Sequence, residues 1–200
     1  MDVIEALRSR RSLRQLDNRA VPGELVDELL QLALMAPAPH HTRPWRYVIV
    51  SRERRAELAA RMGAAWRADL ERDGHPEALI ARLLRKSERQ ITTAPTLILA
   101  CLTHEGLRDW PDERRARNEF AMAQQSIGAG MQNIMLAAHA RGLASYWISA
   151  PLFAPEAVRE ALLLPADYVA QAFVVVGYAA PGVAPKPRLP ADASRLIIER

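Results

Sequence analysis

Three short segments concentrate the side chains best suited to binding a small anion. They are Arg10-Arg11-Ser12-Leu13-Arg14, the run from His40 to Arg46, and Pro185-Lys186-Pro187-Arg188. A guanidinium group offers paired donors to phosphate or carboxylate oxygens, and the prolines beside Lys186 stiffen the chain so that Lys186 and Arg188 can address one phosphate. Each segment alone is more often solvated surface, so their meaning depends on their occurring together.

The signatures of several other sites are missing from the sequence. There is no nucleotide-binding P-loop, no G-x-G-x-x-G segment after a strand, no H-E-x-x-H helix and no G-x-S-x-G turn. The five histidines, at positions 40, 41, 75, 104 and 139, lack metal-ligand spacing, and Cys101 is the single cysteine. We therefore expect no metal site and no disulfide, and a buried, unreactive Cys101.

Composition narrows the partners further. The 200 residues are half apolar, enough for one core, so we predict a single domain over residues 1–200. The formal net charge is +4, but the arginines are interleaved with acids, which favours a small anionic ligand over a nucleic acid. The chain begins without a secretion signal, and no apolar run approaches the ~18 residues of a membrane span. We expect a cytoplasmic protein with no nucleic-acid or membrane partner.

Local signals place the three segments among helices and short strands. Asp2 and Glu5 form a capping box, Asp112 caps a long helix, and Gly142 ends it. Three prolines prevent regular structure between Ala36 and Pro44. The predicted helices span 2–10, 22–37, 54–71, 77–90, 112–141 and 155–163, and the predicted strands span 46–50, 96–102, 144–148 and 170–178. Helices with few, buried strands indicate an α+β fold.

The helix predicted over 112–141 carries apolar or small residues around most of its circumference. Bulky residues such as Phe120 and Met131 alternate with Ala121, Ala123, Gly128, Ala129 and Gly130. A helix that is apolar on nearly all sides must be surrounded, which in a chain of this size favours a second subunit packed against it. A central helix buried entirely within one chain is the alternative.

Four motifs in this order resemble the FMN-binding nitroreductase family over nearly the whole chain. They are R-R-S-x-R at 10–14, a turn ending in R-P-W at 43–45, G-L-A-S-Y-W-I at 142–148 and P-K-P-R at 185–188. The resemblance implies an α+β nitroreductase-like fold, with a central mixed sheet flanked by helices, and a homodimer of domain-swapped style that holds FMN at the interface. Many relatives have Asn and Gln where this chain has His41 and Arg43.

The resemblance also implies roles for individual residues. It places Trp147, Ile148 and Ser149 against the flavin ring, with Arg11 toward the ring, and assigns the turn of Pro37, Ala38, Pro39 and His41 to the other side of the cofactor, partly from the second subunit. A cation near the flavin ring makes the ring easier to reduce. The residues implied to surround the phosphate and ribityl chain are Arg10, Ser12, Arg14, Lys186 and Arg188.

One branch of the family is most similar. The segments 36–44, 66–74 and 110–112 resemble the C-terminal reductase domain of the coenzyme F420 biosynthesis protein FbiB, which implies reduction of dehydro-F420-0 to F420-0. The developing enolate of that reaction needs a cation, so His41 and Arg43 become the candidate catalytic residues. The candidate substrate-binding residues are His40, Arg43, Arg46, Trp66 and Arg67. The histidines could instead cap a proline-rich turn, and Trp66 could belong to a core.

Two other functions stay open. One is a broad-specificity NAD(P)H nitro or quinone reductase on the same fold. The other is a flavin- or deazaflavin-binding carrier without turnover. The sequence leaves the electron donor open, because this fold has no separate nicotinamide motif.

Overall fold

The computed structural model describes residues 1–198 and arranges them around one four-stranded sheet. The strand order is β1-β2-β4-β3, and each of these neighbouring pairs is antiparallel. The strands are β1 Trp45–Ile49, β2 Thr96–Leu102, β3 Ala144–Ile148 and β4 Val169–Gly177. Strands β2 and β4 lie in the middle of the sheet because both are mostly apolar along their length, which suits burial on two faces.

The predicted α+β class is confirmed, but the expected mixed sheet is wrong for the strands described. The parallel contact in this region is an isolated bridge between Ser12 and Ser145, which attaches the N-terminal segment to the edge strand β3. Every connection between successive strands passes through helices, and such long connections are compatible with either strand direction. The sequence therefore could not decide the pairing.

Local capping signals set the helix ends. The Asp2 and Asp112 carboxylates accept hydrogen bonds from the backbone N–H groups of Glu5 and Arg115, at 2.8 and 2.9 Å. Gly142, with φ of 74°, follows the long helix. The helices are α1 Val3–Ser9, α2 Gly23–Ala33, α3 Arg55–Arg72, α4 Glu77–Thr92, α5 Glu113–Ala140, α6 Pro155–Leu162 and α7 Ala193–Leu196.

Two boundaries need comment. Helix α2 ends at Ala33, short of the expected stop at Pro37, because residues 35 and 36 form i→i−3 hydrogen bonds that tighten the chain. Positions 199 and 200, the end of the predicted domain, lie outside the described residues. Within the described residues, no helix is both long and apolar enough to cross a membrane.

A hydrophobic core lies on each face of the sheet. Helices α2 and α5 cover one face, and α3 and α6 cover the other. Cys101 is fully buried on the α3 side, where burial raises the pKa of its thiol to about 12. The expectation of a buried, unreactive cysteine agrees with this environment.

Helix α5 is buried on one side only within the chain. Ile127, Met131 and Ile134 pack into the core, as do Ala123 and Ala138. The opposite side is an open stripe with a spacing of three and four residues, from exposed Met122 to half-buried Leu136. The open stripe consists of Met122, Gln125, Ala129, Gln132 and Leu136.

Most of the small residues of α5 pack against residues of the same chain, whereas we expected them to contact a second subunit. A side chain at Gly130 would collide with the Tyr47 hydroxyl, and one at Gly128 would lie 3.8 Å from the Trp147 ring. Ala123 is fully buried. Of these small residues, Ala129 lies on the open stripe, where it is half-buried and also touches the edge of the core, so the close approach of a second helix would centre on it.

Candidate functional site

The first anion-binding motif lies along strand β3 and the end of α5. The Leu13 N–H donates to the Ser145 carbonyl at 3.3 Å, and the Ser9 hydroxyl lies 2.7 Å from Nε2 of His139 on α5. The segment that follows α1 is thereby fixed at the sheet edge.

Two neighbouring spaces open around this segment. A small cavity of about 50 Å³ is lined by Arg10, Arg11, His139, Ser145 and Pro185, among others. A wide cleft of about 460 Å³ lies between residues 11–15 and 183–187 and is lined by Ser12, Arg14 and Lys186. The structure thus brings the first and third sequence motifs together, with Arg11 contributing to both spaces.

Several buried donors at this place have no acceptor among the described residues. They are Nη1 of Arg10, Nε of Arg11 and the hydroxyl of Ser145, a residue only 2% exposed. Burial, together with the positive charges of Arg188 and Arg11, lowers the pKa of Arg10. Buried donors without acceptors are costly, and cations held close together repel one another, so this arrangement favours a bound anion.

The guanidinium groups of Arg11 and Arg188 also stabilise the end of α1. Arg11 donates to the carbonyls of Arg8 and Arg10 at 2.7 and 2.8 Å, and Arg188 donates to those of Leu7 and Arg10 at 3.4 Å. Cations suit a helix C-terminus, where the last carbonyls lack helical partners. Arg188 therefore attaches the tail to α1 and brings Lys186 to the wide cleft.

The end of β3 presents the second set of predicted residues. Trp147 faces α5 and is 37% exposed, with its ring beside Gly128, while Ile148 packs toward the opposite core. Ser149 follows the strand and leads into a 3₁₀ turn at Ala150–Phe153. The Trp147 ring therefore lies two residues along β3 from Ser145, which lines the small cavity.

The segment from Pro37 to Arg43 forms a strained turn. His40, His41 and Arg43 have φ angles of 50°, 59° and 51°, in the left-handed region that non-glycine residues seldom adopt. All three side chains are exposed. Such conformations persist only where the surroundings impose them, and they cluster at functional sites.

Neighbouring groups hold this turn in place. The Thr42 hydroxyl donates to the Pro39 carbonyl at 2.8 Å, and the Ser126 hydroxyl of α5 donates to the Pro37 carbonyl at 2.5 Å. Ala38 caps the single 3₁₀ turn at Pro39–His41 through its carbonyl, which accepts from the His41 N–H at 3.2 Å.

Two residues beside the turn were missed by sequence reasoning. Nη2 of Arg108 lies 3.5 Å from Nδ1 of His40, and the backbone N–H of Arg108 donates to the Glu119 carboxylate at 3.3 Å. Glu119 is 3% exposed and also accepts from Nε1 of Trp110 at 3.1 Å. Burial raises the pKa of Glu119, but these hydrogen bonds and the nearby positive charge of Arg108 together leave it below the usual range. The signal in the sequence was Glu119 itself, an acidic residue on the side of α5 that is otherwise apolar and buried.

The three remaining predicted substrate residues do not act together. Arg46 is paired with Glu105, and Arg67 donates to Glu71 at 3.1 Å and to Glu77 at 2.8 Å. The hydrogen bonds to Glu77 and Glu71 raise the pKa of Arg67 above its ordinary value. Both guanidinium groups already have anionic partners.

Trp66 instead lines a separate space, here called the aromatic cavity. It measures about 520 Å³ and includes Met62, Phe153 and the carboxylates of Asp69 and Asp73. The residues described as lining it do not include Arg67. The cavity adjoins the end of β3 through Ala150, so Trp66 shares a cavity with the segment that follows β3, whereas Arg67 is paired with Glu71 and Glu77. No group of three candidate metal ligands occurs among the described residues.

The sequence profile of the nitroreductase family matches residues 7–178. The chain belongs to the nitroreductase family. A protein of Methanothermobacter thermautotrophicus, provisionally named NADH dehydrogenase/NAD(P)H nitroreductase, is 29% identical over 100% of this chain and 88% of its own length.

Solved structures share the fold. A provisionally named nitroreductase from Desulfovibrio desulfuricans, determined in complex with FMN, has a TM-score of 0.74 at 24% identity and covers 100% of this chain and 97% of its own. An FMN-dependent nitroreductase from Clostridium difficile has a TM-score of 0.71 at 20% identity, covering 98% of this chain and 99% of its own. The predicted nitroreductase-like fold is confirmed.

Proposed function

We propose that this protein is an FMN-dependent oxidoreductase. The observation that carries the proposal is the group of buried, unpartnered donors of Arg10, Arg11 and Ser145, which line the small cavity next to the wide cleft. FMN ends in a phosphate, which needs such donors, and its planar ring needs an aromatic or apolar wall such as the one at Trp147. The relatives described as FMN-bound or FMN-dependent support the same cofactor.

The residues of this chain divide between the two ends of the cofactor. Arg10, Ser12, Arg14, Lys186 and Arg188 hold the phosphate and ribityl chain. When bound and reduced, FMN would supply a hydride to an acceptor. Arg11, which lines both spaces, places a positive charge toward the ring and stabilises negative charge on it.

The residues at the ring come from two places in the chain. The backbone at Trp147, Ile148 and Ser149 supports one side. The turn of Pro37, Ala38, Pro39 and His41 covers the other side and excludes water.

The two sides of the ring require two chains in this proposal. On α5, Ser126 donates to the Pro37 carbonyl of the turn, and Gly128 lies against the ring of Trp147. Ser126 and Gly128 are two positions apart, which corresponds to a rotation of about 200° around the helix axis. The turn and Trp147 thus lie on opposite flanks of α5, with the open stripe between them. A symmetric homodimer packed across the open stripe would bring the turn of one chain to Trp147 of the other.

The proposed substrate is dehydro-F420-0. It carries an enolpyruvyl double bond conjugated to a carboxylate, so a hydride adds to the terminal methylene and a proton to the carbon beside the carboxylate. The exposed His40, His41 and Arg43, with Arg108 beside His40, support this choice, because they offer cations and a proton donor at one turn. Arg43 binds the carboxylate or the phosphodiester, and His41, or His40, supplies the proton.

A second candidate function is a broad-specificity NAD(P)H nitro or quinone reductase. The aromatic cavity favours it, since Trp66, Met62 and Phe153 suit a flat, uncharged ring. Arg72 also lines the cavity and is paired with Asp69 at 2.9 Å, which leaves Asp73 as the unpaired charge among the described lining residues and offers no cationic cluster for a polyanion. The name of the Methanothermobacter relative points the same way.

Anaerobic single-turnover assays separate these functions. The protein is loaded with FMN, reduced chemically, and mixed with dehydro-F420-0 or with nitrofurazone. Mass spectrometry follows the gain of two hydrogens by dehydro-F420-0, or the loss of one oxygen as water when the nitro group of nitrofurazone is reduced to a nitroso group. Conversion of dehydro-F420-0 supports the first function. Conversion of nitrofurazone alone supports the second, and conversion of neither by a flavin-loaded protein identifies a carrier.

A further inference from the structure

His139 is the one titratable side chain of the small cavity that the sequence motifs do not include. It lies in the last turn of α5, partly buried, with Nε2 2.7 Å from the Ser9 hydroxyl. Arg10, Arg11 and Ser145 line the same cavity. His139 therefore shares this cavity with the unpartnered donors described above.

The charged groups around His139 come from three elements. Helix α1 contributes Glu5, and the segment after it contributes Arg10 and Arg11. On α5 itself, the nearby Arg141 is paired with Glu28 on α2. Burial first, then the two arginines, lower the pKa of His139, and Glu5 opposes them only in part. Burial and the positive charges of Arg10 and Arg11 therefore disfavour the protonated imidazole in the FMN-free protein.

We propose that His139 is a titrating member of the anion site and gains a proton when the phosphate of FMN binds between Arg10 and Ser145. This inference rests on the proposed FMN-binding function and adds a residue to it. A phosphate dianion offsets the charges of Arg10 and Arg11 and accepts a hydrogen bond from the imidazolium, so protonation becomes favourable.

The direction of the pH dependence follows from the two pKa values of His139. The pKa is raised in the FMN complex relative to the FMN-free protein. The extra affinity is therefore fully present below the pKa of the FMN-free protein and is lost as the pH rises through the pKa of the complex. The second ionisation of the FMN phosphate has a pKa of ~6 and changes the affinity in the opposite direction, because the dianion binds cations more tightly than the monoanion. Measurements at pH ~7.5 and above therefore isolate the contribution of the histidine.

Calorimetry of FMN binding tests the proposal directly. The titration is performed at pH ~7.5 in two phosphate-free buffers with different ionisation enthalpies, which gives the number of protons taken up. The wild-type protein should take up a measurable fraction of one proton. His139→Gln retains a donor toward Ser9 but should take up none, and should bind FMN about tenfold more weakly at pH ~6.5, the size of one charge-assisted contact.

Controls separate this inference from the proposed function. His75→Gln, at an exposed position between α3 and α4, should match the wild type in proton uptake and affinity. FMN binding by the wild type without proton uptake, or unchanged uptake in His139→Gln, would overturn the role of His139 alone. A wild-type protein that does not bind FMN would overturn the proposed function and this inference together.

Discussion

Replacing Arg10 with methionine should weaken FMN binding while leaving the FMN-free protein at least as stable as the wild type. Nη1 of Arg10 is buried without an acceptor among the described residues, and burial lowers the pKa of the group. A charge-assisted hydrogen bond is worth about 1.5–3 kcal/mol, which corresponds to a loss of about 10- to 150-fold in affinity. An unpartnered buried donor costs about 1–3 kcal/mol, so its removal offsets the loss of packing.

Two measurements on the same variant test this reasoning. Quenching of flavin fluorescence gives the affinity for FMN, and thermal unfolding of the FMN-free protein gives its stability. Arg85→Met, at an exposed position in the middle of α4, is the matched control and should change neither quantity. If Arg10→Met kept full affinity, or if its FMN-free form were clearly less stable, Arg10 would be a structural residue.

Three further predictions concern the tail beside α1, the open stripe of α5 and the turn that carries Arg43. Lys186→Ala should lower the affinity for FMN without a change in melting temperature, whereas Arg188→Ala should lower both the affinity and the melting temperature, because Arg188 donates to the end of α1. Equal melting temperatures for the two variants would contradict this difference. Light scattering should show a dimer for the wild type and a monomer for Ala129→Glu, which places a charge on the open stripe. The control Arg85→Glu, exposed on α4, should remain a dimer, and a wild-type monomer with bound FMN would refute the proposed dimer. Arg43→Gln should slow the turnover of dehydro-F420-0 about 10-fold or more and leave nitrofurazone nearly unaffected, and equal losses would assign Arg43 to the flavin instead.

The parts of the fold that depend on neighbouring residues could be predicted from the sequence. The capping roles of Asp2 and Asp112 and the end of α5 at Gly142 rest on interactions within a few positions. Strand direction could not be predicted, because it depends on pairing between distant segments. The environment of α5 was predicted only in part, since its apolar pattern could not tell the core side of Met131 from the open stripe.

The candidate site shows the same division. The motifs at 10–14 and 185–188 were expected to meet, and the structure brings them together. The acidic partners of Arg46 and Arg67 could not be predicted, because Glu105 and Glu77 become neighbours only through the fold. Arg108 reaches the turn in the same way.

A titration of the flavin-free protein with FMN and, in parallel, with riboflavin tests the central claim most directly. The two ligands share the ring and ribityl chain and differ in the phosphate, which is the group that Arg10, Lys186 and the Ser145 hydroxyl are proposed to bind. We predict saturable binding of one FMN per chain and riboflavin binding weaker by about 100-fold or more, as expected for the loss of two or more charge-assisted contacts. Equal affinity for the two flavins, or no binding of either, would contradict the proposal.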